Sequence, residues 1–318
     1  MKYPIAALAV VTALAGCDGN PFVTEDDSAT DTATDTTTDT TTTTDGGTAI
    51  VGDITLPPGT VDPTAAGAIF RSEETGTANN ITYDAATDTI SINNLPFDGD
   101  GTYDRDNEVG TLNGFSVYEN NNTTERRAYK TLYGVSASGE TRFAITRTGD
   151  YRGYGFGGFV YQRDVDVALP TTGSATFTGD YAGLRVFDGT GGIQYTTADA
   201  IMEVDFEDFD ANDAVEGALI NRQVYETDGS FVGTLPVLIF ATGSISDAGE
   251  IAGTATSEIF DIANGEFVPF ETGNYYAILS GDPADEIVGI IVVEGEDPND
   301  GLDDVNIQET GGFILTTP

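Results

Sequence analysis

The sequence predicts an all-β protein, with a small N-terminal antiparallel β-region followed by an eight-stranded antiparallel β-barrel. Three observations predict this class. Short runs of alternating apolar and polar residues recur from residue 49 to the C-terminus, which is the pattern of half-buried strands. These runs are separated by Gly, Asn and Asp, the residues that favour tight turns. No stretch of ten or more residues shows the apolar period of a helix.

Residues 1–16 predict a lipoprotein signal peptide. Lys2 precedes the apolar run IAALAVVTAL, which is too short to span a bilayer but fits a secretory leader. The tetrapeptide LAGC that ends at Cys17 resembles the lipobox of bacterial lipoproteins, in which the cysteine thiol takes up a lipid and the chain is cut before it. The alternatives are an ordinary leader and a buried thiol. Since Cys17 is the only cysteine, we expect lipidation there and no disulfide.

A lipid on Cys17 predicts where the protein is found. Two or more acyl chains anchor a protein stably in a membrane. We therefore expect the lipid anchor to attach the protein to a membrane, with the protein located at the outer membrane or cell surface. Asp18 follows the lipidated position, and an acidic residue there retains some bacterial lipoproteins in the inner membrane, so inner-membrane retention is the alternative.

Residues 17–48 predict a disordered tether. The stretch SATDTATDTTTDTTTTTDGG has too few apolar side chains to offset the entropy lost on ordering. Repulsion between successive Asp charges extends such a chain. We interpret the segment as a spacer between the anchor and the folded part; a glycosylated Thr-rich stalk is the alternative.

Composition excludes several function classes. The chain has 53 acidic and 12 basic residues, a net charge of −41, which argues against nucleic acid as a partner and favours a soluble monomer. It contains no histidine, so Ser-His-Asp triads, Cys-His pairs and His-based metal sites are excluded. Carboxylate chemistry remains, but no pair of acids is marked by the sequence. We expect no enzyme activity and no cofactor.

The remaining chain divides into two β-rich regions. Residues 49–169 form the N-terminal β-region, in which ITYDAATDTISINNL (81–95) reads as strand, turn, strand. Residues 170–318 contain about eight further runs, such as AIMEVDF (200–206), whose alternate residues share one face. Eight strands suffice to close a small barrel, which removes exposed edges. Such a barrel is filled by its own side chains or holds one small ligand.

Motifs in the second region resemble a known family. They are GSATFTGDYAGL (173–184), ADAIMEVDFEDFDANDAVEGAL (198–219), GEIAGTATSEIF (249–260), GNYYAILSGDPADEIVGII (273–291) and ETGGFIL (309–315). In order and spacing they are similar to the β-barrel domain of transferrin-binding protein B and related surface lipoproteins, and Pro283, Ala284, Glu286 and Gly289 match the family's closing motif. The resemblance implies a barrel over 170–318 and a handle-like region over 49–169. A β-sandwich lipoprotein is the alternative.

An acidic stretch was weighed as a calcium loop. DGDGTYDRDNE (98–108) places acidic or hydroxyl side chains at alternate positions, as an EF-hand loop does. However, Tyr103 stands where such a loop needs Gly, and Val109 stands where it needs Glu. We therefore expect a solvated turn and no metal site.

Basic residues cluster in the first β-region. Seven of the eleven that follow the signal peptide are Arg126, Arg127, Lys130, Arg142, Arg147, Arg152 and Arg163. They alternate with aromatic residues, a combination typical of protein interfaces. We predict a ligand-binding surface at Arg126, Arg127 and Lys130, which follow the polar stretch ENNNTTE (119–125) and are expected at the exposed end of this region. The alternative is that these bases pair with carboxylates while the aromatics form a core.

Three functions are compatible with these observations. The leading hypothesis is a lipid-anchored extracytoplasmic binding lipoprotein that presents its barrel to a protein or small ligand, in nutrient or iron acquisition, with an outer-membrane receptor as a partner. The second is a structural or adhesive surface lipoprotein. The third is a carboxylate-dependent hydrolase.

Overall fold

The structure, a computed structural model, describes residues 78, 80–120, 129–149, 153–207, 214–297 and 305–318, together with the backbone of three short strands before them. All regular structure in this part of the chain is β-strand, so the predicted all-β class is confirmed. No helix in it is long and apolar enough to cross a membrane. The predicted signal peptide, Cys17 and the predicted tether lie outside the described residues.

The first region is an antiparallel sheet preceded by a small strand pair. β1 (Ala49–Ile50) pairs with β2 (Ile54–Thr55). The sheet has the order β3-β11-β10-β9-β8-β6-β5-β4, and β7 pairs with β8 beside this path. Its strands are β3 (Ile69–Arg71), β4 (Asn80–Asp84), β5 (Thr89–Asn93), β6 (Thr102–Arg105), β7 (Thr111–Leu112), β8 (Phe115–Asn120), β9 (Tyr129–Val135), β10 (Thr141–Thr148) and β11 (Gly157–Arg163).

The second region is a closed antiparallel barrel. Its strands are β12 (Ser174–Phe187), β13 (Ile193–Asp205), β14 (Val215–Glu226), β16 (Leu238–Ile245), β17 (Glu250–Asp261), β18 (Glu266–Ser280), β19 (Glu286–Glu296) and β20 (Asn306–Thr316). The short β15 (Phe231–Thr234) pairs with β14 outside the ring. The ladder closes because β12 pairs with both β13 and β20. The predicted eight-stranded barrel is confirmed, and closure excludes the β-sandwich.

Side chains fill the barrel. Alternate residues of every strand point inward, so the predicted shared face of AIMEVDF is buried, with Met202 and Val204 fully enclosed. The ring of Phe240 stacks 4.9 Å from that of Tyr275 and lies 6.2 Å from that of Phe313. These packed side chains leave ligand binding to the outside of the barrel or to its ends.

The sheet packs on the outer wall of the barrel. Strands β9, β10 and β11 contact β12, β19 and β20, and the two regions share an apolar cluster that includes Phe143, Ile145, Leu184 and Ile290. All four side chains are buried. Because burial of apolar surface is the main force in folding, this cluster holds the two regions together.

Candidate ligand-binding cleft

Of the predicted binding residues, only Lys130 is described; Arg126 and Arg127 lie outside the described residues. Lys130 is buried, with a side chain 10% exposed. Its ammonium group pairs with the carboxylate of Asp106 and lies 2.9 Å from Oε2 of Glu119. The structure thus places Lys130 in a buried ion pair and not at an exposed end of the sheet, because Asp106 and Glu119 face it from neighbouring segments. Ligand binding by the three residues stays a prediction.

The other described basic side chains are also engaged. Arg142 pairs with Asp164, and Arg147 donates to Gln308. Arg105 pairs with Asp88 at 3.1 Å, and its guanidinium lies 4.7 Å from the ring centre of Tyr118. Arg163 donates 2.7 Å and 3.1 Å hydrogen bonds to the carbonyls of Leu279 and Ala248. Lys130 and Arg142 thus pair with carboxylates, as the alternative interpretation proposed, whereas Arg147 and Arg163 donate to an amide oxygen and to backbone carbonyls.

The acidic stretch 98–108 uses its carboxylates internally. The hydroxyl of Tyr103 donates to Asp98 at 3.3 Å, and the backbone N–H of Thr102 donates to Asp100 at 3.0 Å. Asp106 holds Lys130 and accepts from the backbone N–H groups of residues 108 and 109. Throughout the described ranges, no three His, Cys, Asp or Glu side chains form a group that could hold a metal ion.

A cleft lies where the sheet meets the barrel. We call it the junction cleft. Its volume is about 680 Å³, within the range of small-molecule sites in proteins. Its walls come from the β7–β8 turn, from the neighbouring strands β13 and β14, and from β15 with the residue after it. The lining residues are Asn113, Thr197, Ala198, Asp199, Asn221, Arg222, Gln223, Tyr225, Thr234 and Leu235.

A β-bulge shapes the wall of the junction cleft. Thr197 pairs with Gln223 and Asp199 pairs with Ile220, so two residues of β14 stand opposite the single residue Ala198 of β13. One of the two, Asn221, has a φ of 55°, a left-handed conformation that Asn tolerates better than most residues. A bulge breaks the ladder and re-aims side chains.

A side chain of the sheet occupies this break. Asn113 and Gly114 form the two-residue turn between β7 and β8, with φ angles of 46° and 85°, as a type I′ hairpin turn requires. The Nδ2 atom of Asn113 donates hydrogen bonds of 2.9 Å to the carbonyl of Ala198 and 3.0 Å to that of Tyr181. Asn113 therefore ties the sheet to the bulged wall and forms one end of the junction cleft.

Two side-chain pairs order the rest of the lining. Asn221 donates from Nδ2 to Asp199 Oδ2 at 2.7 Å, and the hydroxyl of Tyr225 donates to Gln223 Oε1. The ring of Tyr225 also packs edge-on against Phe231 of β15, with ring centres 5.8 Å apart. These contacts hold the polar groups and the aromatic ring of the cleft in defined positions.

Behind the wall lies a buried ion-pair network. Arg222, fully buried, donates to both oxygens of Glu271 at 2.5 and 2.9 Å and to Glu309 at 3.2 Å. Arg185 lies 3.5 Å from Glu309, which also accepts a 2.6 Å hydrogen bond from Tyr181. A Cβ on Gly311 would stand 2.0 Å from the Tyr181 hydroxyl, so only Gly leaves space for this ring.

The electrostatics of the network follow from burial and pairing. Burial lowers the pKa of Arg222, but the two glutamates outweigh burial and raise it. Burial raises the pKa of Glu271, and Arg222 outweighs that effect, so the pKa of Glu271 is lowered. Since these charges compensate one another, the wall behind the cleft adds no net charge to it.

Carboxylates outside the barrel make the cleft side of the wall acidic. Asp180 stands directly opposite Asp199 in the β12–β13 pair. Burial, and next the charge of Asp199, raise the pKa of Asp180. The cleft therefore combines one lining carboxylate with amide and hydroxyl groups, a set suited to hydrogen bonding with a ligand.

Sequence reasoning did not find the junction cleft. The dipeptide Asn113-Gly114 marks a hairpin, but nothing local shows that its amide reaches a bulge about 70 to 85 positions further along the chain. The bulge itself appears in the sequence only as INRQ (220–223), which breaks the alternation of β14. The other available indication was a basic residue, Arg222, in the middle of β14.

The fold and the cleft define an all-β protein with a filled barrel and an external polar cleft. No protein-family model matches the chain, and no curated protein matches it. Among solved structures it is similar to a double mutant of transferrin-binding protein B from Haemophilus parasuis Hp5, with 12% identity and a TM-score of 0.37, over 76% of this chain and 46% of that one. This chain thus spans less than half of that protein.

Two further solved structures are similar to this chain. One is a mutant of transferrin-binding protein B from Actinobacillus pleuropneumoniae H49, with 15% identity and a TM-score of 0.36, over 80% of this chain and 100% of that one. The other is described as a surface lipoprotein, with 17% identity and a TM-score of 0.34, over 58% of this chain and 80% of that one. The sequence motifs resemble the same group of proteins.

Proposed function

We propose that this chain is a lipid-anchored extracytoplasmic binding protein that holds a small ligand in the junction cleft. Cys17 carries the lipid, residues 17–48 form the tether, and the sheet and barrel together form the binding unit. The observation that carries the proposal is the cleft itself. It is a preformed opening at the junction of two packed regions, which is a common place for ligand sites.

A further observation supports binding over catalysis. Glu271 and Glu309, which lie behind the cleft wall, are each held by Arg222 inside the barrel. Arg222 lowers the pKa of Glu271, and a carboxylate with a lowered pKa is a weak general base and a poor proton donor near neutral pH. The carboxylate-dependent hydrolase therefore gains no support from this network.

Lipid attachment is tested by replacing the thiol. Cys17→Ser keeps size and polarity but removes the nucleophile. Cells grown with a labelled fatty acid should incorporate label into the wild-type protein and not into the variant, which should remain as a longer precursor. A cytosolic version that lacks residues 1–16 is the matched control, since it contains the cysteine but cannot be exported. Equal labelling of wild type and Cys17→Ser would disprove the anchor.

Surface location is tested on the same cells. Protease added to intact cells should remove the folded part of a wild-type protein at the cell surface and leave that of a protein facing the periplasm. Complete protection in intact cells, with digestion after the outer membrane is opened, would place the protein inside the outer membrane and would leave the binding role of the cleft untouched.

A further inference from the structure

We propose that the junction cleft binds a neutral carbohydrate. The sugar ring would stack on Tyr225, and its hydroxyls would form hydrogen bonds with Asn113, Asp199 and Gln223. This inference rests on the proposed binding function and names the ligand class of the same site. Three properties of the lining carry it: its charge, its polarity and the fixed orientation of its hydrogen-bonding groups.

Charge disfavours an anionic ligand. Asp199 is the one carboxylate in the lining, and Asp180 stands beside it on the neighbouring strand. Arg222 is the one cation in the lining, but its charge is buried and compensated by Glu271 and Glu309. A phosphate or carboxylate ligand would meet repulsion without a free cation, since like charges at close range are unfavourable.

Polarity disfavours an apolar ligand. Apart from the ring of Tyr225, the apolar lining is limited to Ala198 and Leu235. The remaining lining consists of amides, hydroxyls, one carboxylate and the compensated guanidinium of Arg222. An apolar ligand would strip water from these groups without replacing its hydrogen bonds, which is costly. A carbohydrate does replace them, because each of its hydroxyls both donates and accepts.

The existing hydrogen bonds determine which lining atoms face a ligand. Asn113 uses Nδ2 for two carbonyls, so its Oδ1 is left as an acceptor. Asp199 uses Oδ2 for Asn221, so its Oδ1 is left as an acceptor. Gln223 uses Oε1 for Tyr225, so its Nε2 is left as a donor. The site therefore presents acceptors and a donor in fixed positions, and little side-chain entropy is lost on binding.

Tyr225 supplies the apolar contact that a sugar ring needs. Its hydroxyl is held by Gln223, and its ring edge is held by Phe231 at an interplanar angle of 72°. An aromatic ring fixed in this way presents a large contact area with low entropy loss. The C–H face of a pyranose can pack against it while its hydroxyls meet the amides.

A single carboxylate also attracts cations, so the competing ligand class is a small polyamine. The polyamine is disfavoured because one oxygen of Asp199 is already engaged by Asn221 and no other lining side chain is anionic. The two classes differ in salt dependence. Binding of a neutral sugar changes little with ionic strength, whereas binding of a polyamine weakens as salt screens the carboxylates.

The test uses the full mature chain. A glycan array that covers the common neutral hexose, pentose and N-acetylhexosamine linkages is followed by calorimetry with the best oligosaccharide, at low and at high salt. Spermidine and citrate serve as cationic and anionic probes. We expect a neutral oligosaccharide to bind with a dissociation constant of about 1 mM or tighter, independent of salt, with Tyr225→Ala weakening binding about tenfold.

Two more variants complete the test, one in the cleft and one as a control. Gln223→Ala, which leaves the ring in place, should weaken binding as well, and Tyr83→Ala, a tyrosine exposed on the N-terminal sheet, should bind as wild type does. The proposal is overturned if no neutral glycan binds, if spermidine is the ligand and binding weakens with salt, or if Tyr225→Ala and Gln223→Ala bind unchanged. None of these results touches lipid attachment, which Cys17→Ser tests separately.

Discussion

The buried arginine behind the junction cleft yields the sharpest stability prediction. Arg222→Met removes four hydrogen bonds, two to Glu271, one to Glu309 and one to the carbonyl of Pro236, and replaces the guanidinium with an unbranched apolar side chain. Glu309 keeps Arg185 and Tyr181, but Glu271 is left buried with Ser257 as its neutral partner. Removing one member of a buried ion pair costs about 3–5 kcal/mol, so we expect that loss in the free energy of unfolding at neutral pH.

The pH dependence of this loss has a definite sign. In the wild type the pKa of Glu271 is lowered, so its contribution to stability is present above the unfolded pKa of about 4.3 and is lost as pH falls through the folded pKa. In Arg222→Met, burial acts on Glu271 without the cation and raises its pKa. The penalty of the variant should therefore be full at high pH and should shrink as pH falls through that raised pKa.

Urea unfolding followed by tyrosine fluorescence measures both quantities, since the chain has 14 tyrosines and no tryptophan. The matched control is Arg222→Met combined with Glu271→Gln, which removes both charges and should lose less stability than Arg222→Met alone. A loss below about 1 kcal/mol at neutral pH, or a loss that is the same at mildly acidic pH, would refute the argument that Arg222 compensates a buried glutamate.

Two other side chains at the contact between the regions give matching predictions. Lys130→Met should lower the free energy of unfolding by about 3 kcal/mol, because Asp106, with a side chain 1% exposed, loses its cation. Lys130→Arg is the control. An unchanged urea midpoint for Lys130→Met would show that the ion pair does not stabilise the protein. Asn113→Gly keeps the positive φ of the turn but removes two hydrogen bonds to barrel carbonyls, so it should cost about 1–3 kcal/mol. Gly114→Ala strains the same turn without touching those bonds, and if Asn113→Gly unfolds at the wild-type urea concentration, Asn113 does not tie the regions together.

The alternation of apolar and polar residues predicted the strands and their buried faces correctly. The inward face of AIMEVDF, predicted from period two, is the buried face of β13, while Glu203 on the other face is exposed. The same holds for the count of eight barrel strands. These features are local, because the pleat places successive side chains on opposite faces whatever the strand pairs with.

The basic cluster shows where predictions from the local sequence fail. Lys130 was expected at an exposed end because it follows a polar stretch, yet Asp106 lies against it from 24 positions earlier in the chain. Arg147 likewise meets Gln308, 161 positions away. A sequence shows how many charges a segment carries, but a buried charge is stable only with a partner, and the sheet register decides which partner is near.

The sequence by itself determined the all-β class, the inward and outward faces of the strands and the acidity that argues against anionic partners, because each depends on composition or on neighbours along the chain. Only the tertiary structure decided that Asn113 reaches the bulge opposite Ala198, that Arg222 turns inward to Glu271 and Glu309, and that a polar cleft opens where the sheet meets the barrel. The physical reasons are ring closure, which gathers the partners of Arg222, and the packing of the sheet on the barrel, which brings Asn113 to the cleft. Pairing β12 with both β13 and β20 brings side chains from distant strands within hydrogen-bond distance, and no pattern along one strand encodes that distance.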